Sequence, residues 1–117
     1  VCIEALNSQD GKDLACIAEM YFLDKDGSRL SREPWIVKYA DSEDVAHVNR
    51  SADKTFDLQE STYWSTEKGS PYPHTIVIDL GASHALTGFQ CLPRMESEVP
   101  GGIKDFKIYV KGENFKY

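Results

Sequence analysis

Short apolar runs at strand spacing are the strongest pattern in this chain. Residues 35–39 are interpreted as a half-buried strand, and Phe106, Ile108 and Val110 recur with a period of two. A period of two places such side chains on one face of a β-strand. Three further strands are predicted at residues 18–23, 75–80 and 86–92.

Segments rich in glycine, proline, serine or aspartate separate these strands. Residues 24–27, 68–73 and 99–102 are turn sequences of this kind. No stretch carries a sustained helical stripe, and residues 51–59 predict at most one helical turn. Short strands with regular turns predict an all-β fold, an antiparallel β-sandwich or jelly roll. The sequence has no internal repeat or linker, so we expect one domain over residues 1–117.

The charge pattern excludes one class of partner. The net charge is −6 and the basic residues are scattered, whereas nucleic-acid binding needs clustered Lys and Arg to neutralise phosphates. The apolar runs are too short for a membrane span. The sequence does not start with Met, and we expect it to be a piece of a longer chain.

The sequence carries no motif for catalysis or zinc binding. Its three histidines are far apart, and it has no GxSxG elbow or Walker loop. Cys2, Cys16 and Cys91 lack the close spacing of a zinc site, and we expect Cys16 and Cys91 to be buried thiols. The carboxylates are interpreted as solvated surface groups rather than the paired acids of a glycosidase. No enzymatic activity is predicted.

A polar loop at residues 52–64 offers candidate ligands for a hard cation. Asp57 and Thr62 lie five residues apart in it. Calcium takes about 6–8 oxygens from carboxylates, hydroxyls and carbonyls. The same two side chains also suit turn capping through hydrogen bonds to the backbone. From the residues alone, both interpretations stand.

Several consecutive motifs resemble the signature of the discoidin, or coagulation factor 5/8 type C, domain. That signature has the form A-F-D-G-x-x-x-T-x-W, followed after a short loop by P-H-W-I-x-I-D-L-G. The matching residues are Phe56, Asp57, 61–64, 73–81, 86–89, 92–94 and 102–110. The resemblance spans residues 35–110, about two-thirds of the chain. Within the family, the chain resembles the family 32 carbohydrate-binding modules appended to bacterial glycoside hydrolases, including chitobiase-like proteins of Bacteroidetes.

This resemblance implies a jelly-roll sandwich of the galactose-binding-domain type that binds sugar and catalyses no reaction. The expected ligand is a glycan ending in galactose, N-acetylglucosamine or fucose, and the expected partner is a linked glycoside hydrolase domain. We expect a monomer that is secreted, periplasmic or associated with the outer membrane. Two alternatives stand beside it: a discoidin domain that binds protein or lipid headgroups, and a spacer without a ligand. Lipid-binding relatives carry exposed apolar residues on their loops, whereas these loops are predicted to be polar.

The resemblance also implies a structural Ca²⁺. The matching ligands are Glu19, the carbonyl of Lys54, Asp57, Gln59 and Thr62. The family has Asn or Asp where this chain has Gln59, and Gly where it has Leu58.

The segment before the signature has an unusual position. Residues 16–22 resemble the last strand of the family and residues 1–6 resemble the strand before it, yet both precede the signature. Either the chain begins with the tail of an upstream discoidin domain, or the domain is circularly permuted. We favour permutation, because otherwise the fold lacks its closing strands and leaves a sheet edge bare. Residues 1–33 would then supply the closing strands, and residues 34–117 the signature core.

Galactose-binding relatives hold the sugar with a Glu, a His, an aromatic residue and an Arg. The matching positions are Glu43, Ser65, Lys68 and Arg94. The acid and the guanidinium are therefore kept, and the His and the aromatic are replaced. Tyr72 is a candidate stacking platform, or else a turn residue between two prolines. Trp35 and Trp64 lie in or beside strand patterns, and we expect both to pack in the core.

Overall fold

Antiparallel strands build the described part of this chain. The computed structural model describes residues 1–8, 13–46, 48–59, 61–67, 69–82, 84–92 and 103–110. The strands are β1 (Cys2–Ala5), β2 (Cys16–Ile17), β3 (Glu19–Leu23), β4 (Ile36–Ala40), β5 (Trp64–Ser65), β6 (His74–Asp79), β7 (Gly88–Leu92) and β8 (Phe106–Tyr109), and one 3-10 helix spans Ala52–Phe56. These ranges contain no α-helix, so the all-β prediction is confirmed. No helix among them is long and apolar enough to cross a membrane.

The largest sheet has the strand order β4-β6-β1-β8, and each neighbouring pair is antiparallel. β1 lies inside this sheet, because Ile3 is paired with Ile76 of β6 on one side and with Ile108 of β8 on the other. Ile76 and Ile78 are fully buried. A run of β-branched residues suits such a covered position, where the side chains pack against neighbours on the sheet.

One hydrophobic core joins this sheet to two smaller ones, in which β2 pairs with β5 and β3 pairs with β7. The buried members of the core are Ile3, Ile17, Met20, Phe22, Trp35, Ala52, Trp64, Ile76, Ile78 and Leu80. The rings of Phe22 and Trp35 lie 5.4 Å apart, and those of Trp35 and Phe56 lie 5.7 Å apart. The predicted core positions of Trp35 and Trp64 are confirmed. Because all three sheets contribute to the core, they share it as the layers of a β-sandwich do.

The strands that precede the signature are paired with strands that carry it. β1 pairs with β6 and β8. β3 pairs with β7 along its whole length, from Glu19 opposite Leu92 to Leu23 opposite Gly88. A backbone hydrogen bond from Ala18 to Leu92, of 2.8 Å, extends this pairing by one residue. β1 and β3 are therefore held to the signature region by hydrogen bonds between strands.

Side chains on two edge strands are exposed, and the burial predicted for Cys91 is wrong. Phe106 and Val110, which share a strand face with Ile108 by their period of two, are 46% and 63% exposed, whereas Ile108 is half-buried. Cys91 is exposed on β7, whereas Cys16 is buried as predicted. Among the described strands, β8 pairs only with β1 and β7 only with β3. A strand with one neighbour has less of its surface covered, and a period of two does not reveal that position.

Candidate functional site

The loop after the 3-10 helix brings three of the predicted calcium ligands together. Asp57 Oδ2 accepts a hydrogen bond from the Thr62 hydroxyl. The same hydroxyl lies 3.0 Å from the carbonyl oxygen of Gln59, and the Gln59 amide donates to Asp57 Oδ1 at 3.0 Å. The last two bonds are side-chain caps of a turn, so the capping interpretation is confirmed. A carboxylate, a hydroxyl and a carbonyl also converge here.

Leu58 occupies the position where the signature has glycine. Its φ is +65°, in the left-handed region. Glycine enters that region without strain, whereas an L-residue pays about 1 kcal/mol because its Cβ approaches the carbonyl oxygen. The loop thus keeps the backbone shape that the signature glycine would favour, although the residue has changed.

Glu19, the predicted ligand outside this loop, is buried on β3 and paired with a cation of the chain itself. Its Oε1 lies 3.0 Å from Nη1 of Arg32, and the two side chains are 1% and 8% exposed. The same Nη1 is 3.4 Å from the carbonyl oxygen of Met20. β3 packs against the 3-10 helix, which carries Lys54. The elements that hold the predicted ligands therefore adjoin.

The predicted ligands fit a calcium ion by their chemistry, since all of them offer oxygen. The described residues contain no group of three His, Cys, Asp or Glu side chains placed to hold a metal ion. An ion at this loop would therefore need the hydroxyl of Thr62 and backbone carbonyls beside the carboxylate of Asp57.

The predicted sugar ligand Glu43 lies in the loop between β4 and the 3-10 helix. Its Oε2 accepts a hydrogen bond of 2.6 Å from the amide of Ala52, the first residue of that helix. The neighbouring amide of Asp44 donates to the carbonyl of Ser65 at 2.8 Å. The structure thus brings the Glu43 loop next to β5, where Ser65 lies.

Ser65 itself is buried. Its hydroxyl donates to the carbonyl of Thr66 at 3.1 Å and lies 3.3 Å from Sγ of Cys16. The serine at the position of the family's histidine therefore packs inside the sandwich. The other two predicted sugar ligands of this set, Lys68 and Arg94, lie outside the described residues.

Tyr72 is half-buried and has a defined hydrogen bond. Its hydroxyl donates to the carbonyl of Leu14 at 2.9 Å, and its ring meets that of His74 edge-on, with the centroids 4.5 Å apart. The peptide bond between Tyr72 and Pro73 is cis. These contacts fix the ring in one orientation beside β6.

His74, on β6, contacts two other segments of the chain through its ring nitrogens. The side chain is fully buried, with Nδ1 2.8 Å from Oδ2 of Asp41 and Nε2 2.7 Å from the carbonyl oxygen of Asp13. Asp41 also accepts a 2.7 Å hydrogen bond from the amide of Thr75. The sequence predicted no role for His74, which is one of the three widely spaced histidines and lies in the signature segment 73–81. Its hydrogen-bond partners are distant in the chain, so no local sequence pattern predicts them.

The loop that carries Glu43 is less polar than predicted. Val45 and Val48 are 57% and 56% exposed. The isolated bridge between Asp44 and Arg50 closes the base of this loop and holds both valines beyond it. Two branched apolar side chains therefore face solvent next to a predicted sugar ligand.

A cleft of about 620 Å³ lies beside the predicted calcium loop, and sequence reasoning did not assign it a role. Asp57 and Leu58 form part of its wall, and Tyr21, Arg29 and Arg32 form another part. The guanidinium carbon of Arg29 lies 3.8 Å from the centroid of the Tyr21 ring, and that of Arg32 lies 4.2 Å from it. The cleft thus combines cations, carboxylates and an aromatic ring.

Comparison with known proteins identifies an F5/8 type C domain over residues 38–117. A sialidase of Micromonospora viridifaciens is 34% identical over 73 residues, which cover 59% of this chain and 11% of the sialidase. A galactose oxidase of Gibberella zeae is 30% identical over 91 residues, which cover 74% of this chain and 13% of the oxidase. The chain thus spans only a small part of the length of these enzymes.

The described strands β4 to β8 fall almost wholly within the matched residues, and their antiparallel sandwich agrees with the galactose-binding-like architecture of this family. Domains of this kind are typically non-catalytic binding modules. Since the match covers more than half of the sequence, the chain belongs to the F5/8 type C, or discoidin, domain family.

Proposed function

We propose that this chain is a non-catalytic glycan-binding module that keeps a linked sugar-processing enzyme close to its substrate. The observation that carries the proposal is its match to a small part, 11% and 13%, of two long enzymes whose names denote action on sugars. A domain that occurs in both a sialidase and a galactose oxidase is expected to serve a function that both enzymes need. Holding the enzyme on a glycan is such a function.

In this proposal Glu43 and Arg94 hold the sugar, with Tyr72 as the platform and the segment of Ser65 and Lys68 beside them. The Ala52 amide fixes the Glu43 carboxylate before a sugar arrives, and such preorganisation lowers the cost of binding. Tyr72 is likewise held through its hydroxyl. An exposed site of this kind binds weakly, with a Kd of about 0.1–1 mM.

The test is an NMR titration of the ¹⁵N-labelled chain with galactose, N-acetylglucosamine and fucose. Arg94→Ala and Glu43→Gln should each weaken binding about ten-fold or more, since each removes a charged hydrogen-bond partner. Gln at position 43 keeps an oxygen for the Ala52 amide, so the fold is preserved. Lys107→Ala, on exposed β8, is the matched control and should bind as the parent does. If no sugar shifts any resonance of the parent, the proposed function is wrong.

The proposal includes a structural Ca²⁺ held by Asp57, Thr62, Gln59, the Lys54 carbonyl and Glu19. When bound, the ion would cross-link the loop to β3 by electrostatic attraction alone. Binding to the folded state should raise its stability by mass action, by about 2.7 kcal/mol at 100 times the Kd. Thermal melts in calcium and in chelator measure this, and Asp57→Asn should abolish the difference. Equal melting temperatures of the parent in both buffers would refute the site.

The finer assignments belong to the same proposal. We take the chain to be a monomeric family 32 module from a chitobiase-like protein of Bacteroidetes, in a secreted, periplasmic or outer-membrane location. Residues 1–117 would form one permuted domain. The position of β1 between β6 and β8 supports this, since residues before the matched region fill a place inside its sheet.

Exposed Val45 and Val48 favour one alternative, a discoidin domain that inserts apolar side chains into a lipid surface. Co-sedimentation with vesicles of phosphatidylcholine and phosphatidylserine tests it. Binding that is lost in Val45→Ser with Val48→Ser, while sugar titrations stay silent, would support the alternative over the glycan proposal.

A further inference from the structure

We infer that the cleft beside β3 is a second sugar-binding surface, suited to a neutral pyranose. The inference rests on the proposed glycan-binding function. It goes beyond that function because none of the residues matched to the family's sugar ligands lines this cleft. Its ligands come from β3, the segment after β3 and the 3-10 helix.

Phe56 and Leu58 provide the apolar surface of the cleft, and Tyr21 positions its two cations. Tyr21 is half-buried on β3, and its ring carries the guanidinium groups of Arg29 and Arg32 at 3.8 and 4.2 Å. Phe56, also half-buried, lines the same cleft. The C–H face of a pyranose ring can pack on the ring of Phe56, because an aromatic side chain offers a large contact area at low entropic cost.

The two guanidinium groups are held in place before any ligand binds. Arg29 Nε donates to Gln90 Oε1 at 3.1 Å, and Arg32 Nη1 donates to Glu19 Oε1 at 3.0 Å. A fixed guanidinium presents its remaining N–H groups in a planar fork that matches neighbouring oxygen atoms. Adjacent hydroxyls of a pyranose offer such a pair of oxygens, so little freedom is lost on binding.

The charges of the cleft select against an acidic sugar. Besides Arg29 and Arg32, the described lining includes the carboxylates of Glu33 and Asp53, neither of which belongs to the proposed calcium site. Arg32 is further neutralised by its ion pair with Glu19. A carboxylate ligand would meet like charges, whereas sugar hydroxyls can donate to the carboxylates and accept from the guanidinium.

The dimensions agree with a sugar ligand. The volume of about 620 Å³ lies within the range of roughly 300–1,000 Å³ that is typical of small-molecule sites. A second hollow of about 220 Å³ is lined by Tyr21 and Arg29 together with Gln90, Cys91 and Leu92. The pair of Tyr21 and Arg29 therefore borders both hollows, as a ridge over which a longer glycan could extend.

The experiment uses the same ¹⁵N-labelled chain, titrated with galactose, N-acetylglucosamine and glucuronate. The inference predicts chemical-shift changes at Tyr21, Arg29 and Asp53 when the neutral sugars are added. The changes at these residues should be smaller when glucuronate is added. Arg29→Gln and Asp53→Asn should each raise the Kd of the shifts there by about ten-fold. Lys38→Gln removes a cation from exposed β4 and should leave the Kd unchanged.

The outcomes separate this inference from the proposed function. Sugar shifts confined to the Glu43 loop and its neighbours, with the Arg29 and Asp53 variants binding normally, would overturn the inference and leave the function standing. Tighter binding of glucuronate at the cleft would overturn its neutral selectivity. The absence of any shift with any sugar would overturn both.

Discussion

Replacing Arg32 by alanine should destabilise the fold more than any substitution of an exposed cation. Arg32 faces Glu19, whose side chain is only 1% exposed, across 3.0 Å. The substitution removes the guanidinium but leaves the carboxylate in an apolar strand, next to the buried core residue Met20. A buried charge that loses its counter-ion keeps its desolvation cost and loses the attraction that offset it.

The expected loss of stability in Arg32→Ala comes from three contacts of Arg32 that differ in strength. Removing one partner of a buried ion pair costs about 3–5 kcal/mol. The contact of Arg32 with the Tyr21 ring, at 4.2 Å, adds roughly 0.5–1 kcal/mol. The 3.4 Å approach to the Met20 carbonyl is too long to add much. Because small domains have a total stability of about 5–15 kcal/mol, this loss would unfold a large part of a marginal protein.

Urea denaturation followed by tryptophan fluorescence measures the effect, in chelator so that no added ion faces Glu19. Arg29→Ala is the matched control, because that guanidinium lies on the same ring but is exposed, and should cost at most about 1 kcal/mol. Adding Glu19→Gln to Arg32→Ala should recover stability by removing the buried charge. Equal losses in Arg32→Ala and Arg29→Ala would refute the reasoning.

Three further predictions concern single residues. Gly81→Ala should destabilise by about 1–3 kcal/mol, because φ is +81° and a Cβ there would lie 3.0 Å from Cβ of Pro34. Gly27→Ala, at φ +79° with no atom within 4 Å of the new Cβ, isolates the strain alone, and a loss as large as that of Gly81→Ala in thermal melts would contradict the clash. Leu58→Gly should leave stability unchanged or raise it by up to about 1 kcal/mol, since relief of strain offsets the freedom glycine gains when unfolded; a clear loss would contradict this. Burial raises the pKa of the Cys91 thiol, although part of the residue is exposed. Alkylation of Cys91 by iodoacetamide should therefore be slow at neutral pH and should accelerate as the pH rises through that pKa. An alkylation rate that is already constant from pH 7 upward would contradict this prediction.

Strands with strong local patterns were predicted to within two residues. The runs predicted at 18–23 and 75–80 form β3 and β6, because β-branched and aromatic residues between turn signals act locally. The contact between Asp57 and Thr62 was also foreseeable, since a tight turn brings residues five apart together. The ion pair of Glu19 with Arg32 could not be predicted in this way, because the strand order that sets such contacts is decided by packing between distant segments.

The position of β1 between β6 and β8 affects how the sheet forms as the chain is synthesised. β1 leaves the ribosome before both of its partners, β6 and β8, and its pairing with β8 joins Ile3 to the distant Ile108. Until β8 emerges, β1 has an unpaired edge, and such edges recruit other chains. Completion of this sheet should therefore be slow, as is usual when pairing is non-local. An expression boundary that removes residues 1–5 would leave β4 paired with β6 and would take from β8 its only partner among the described strands.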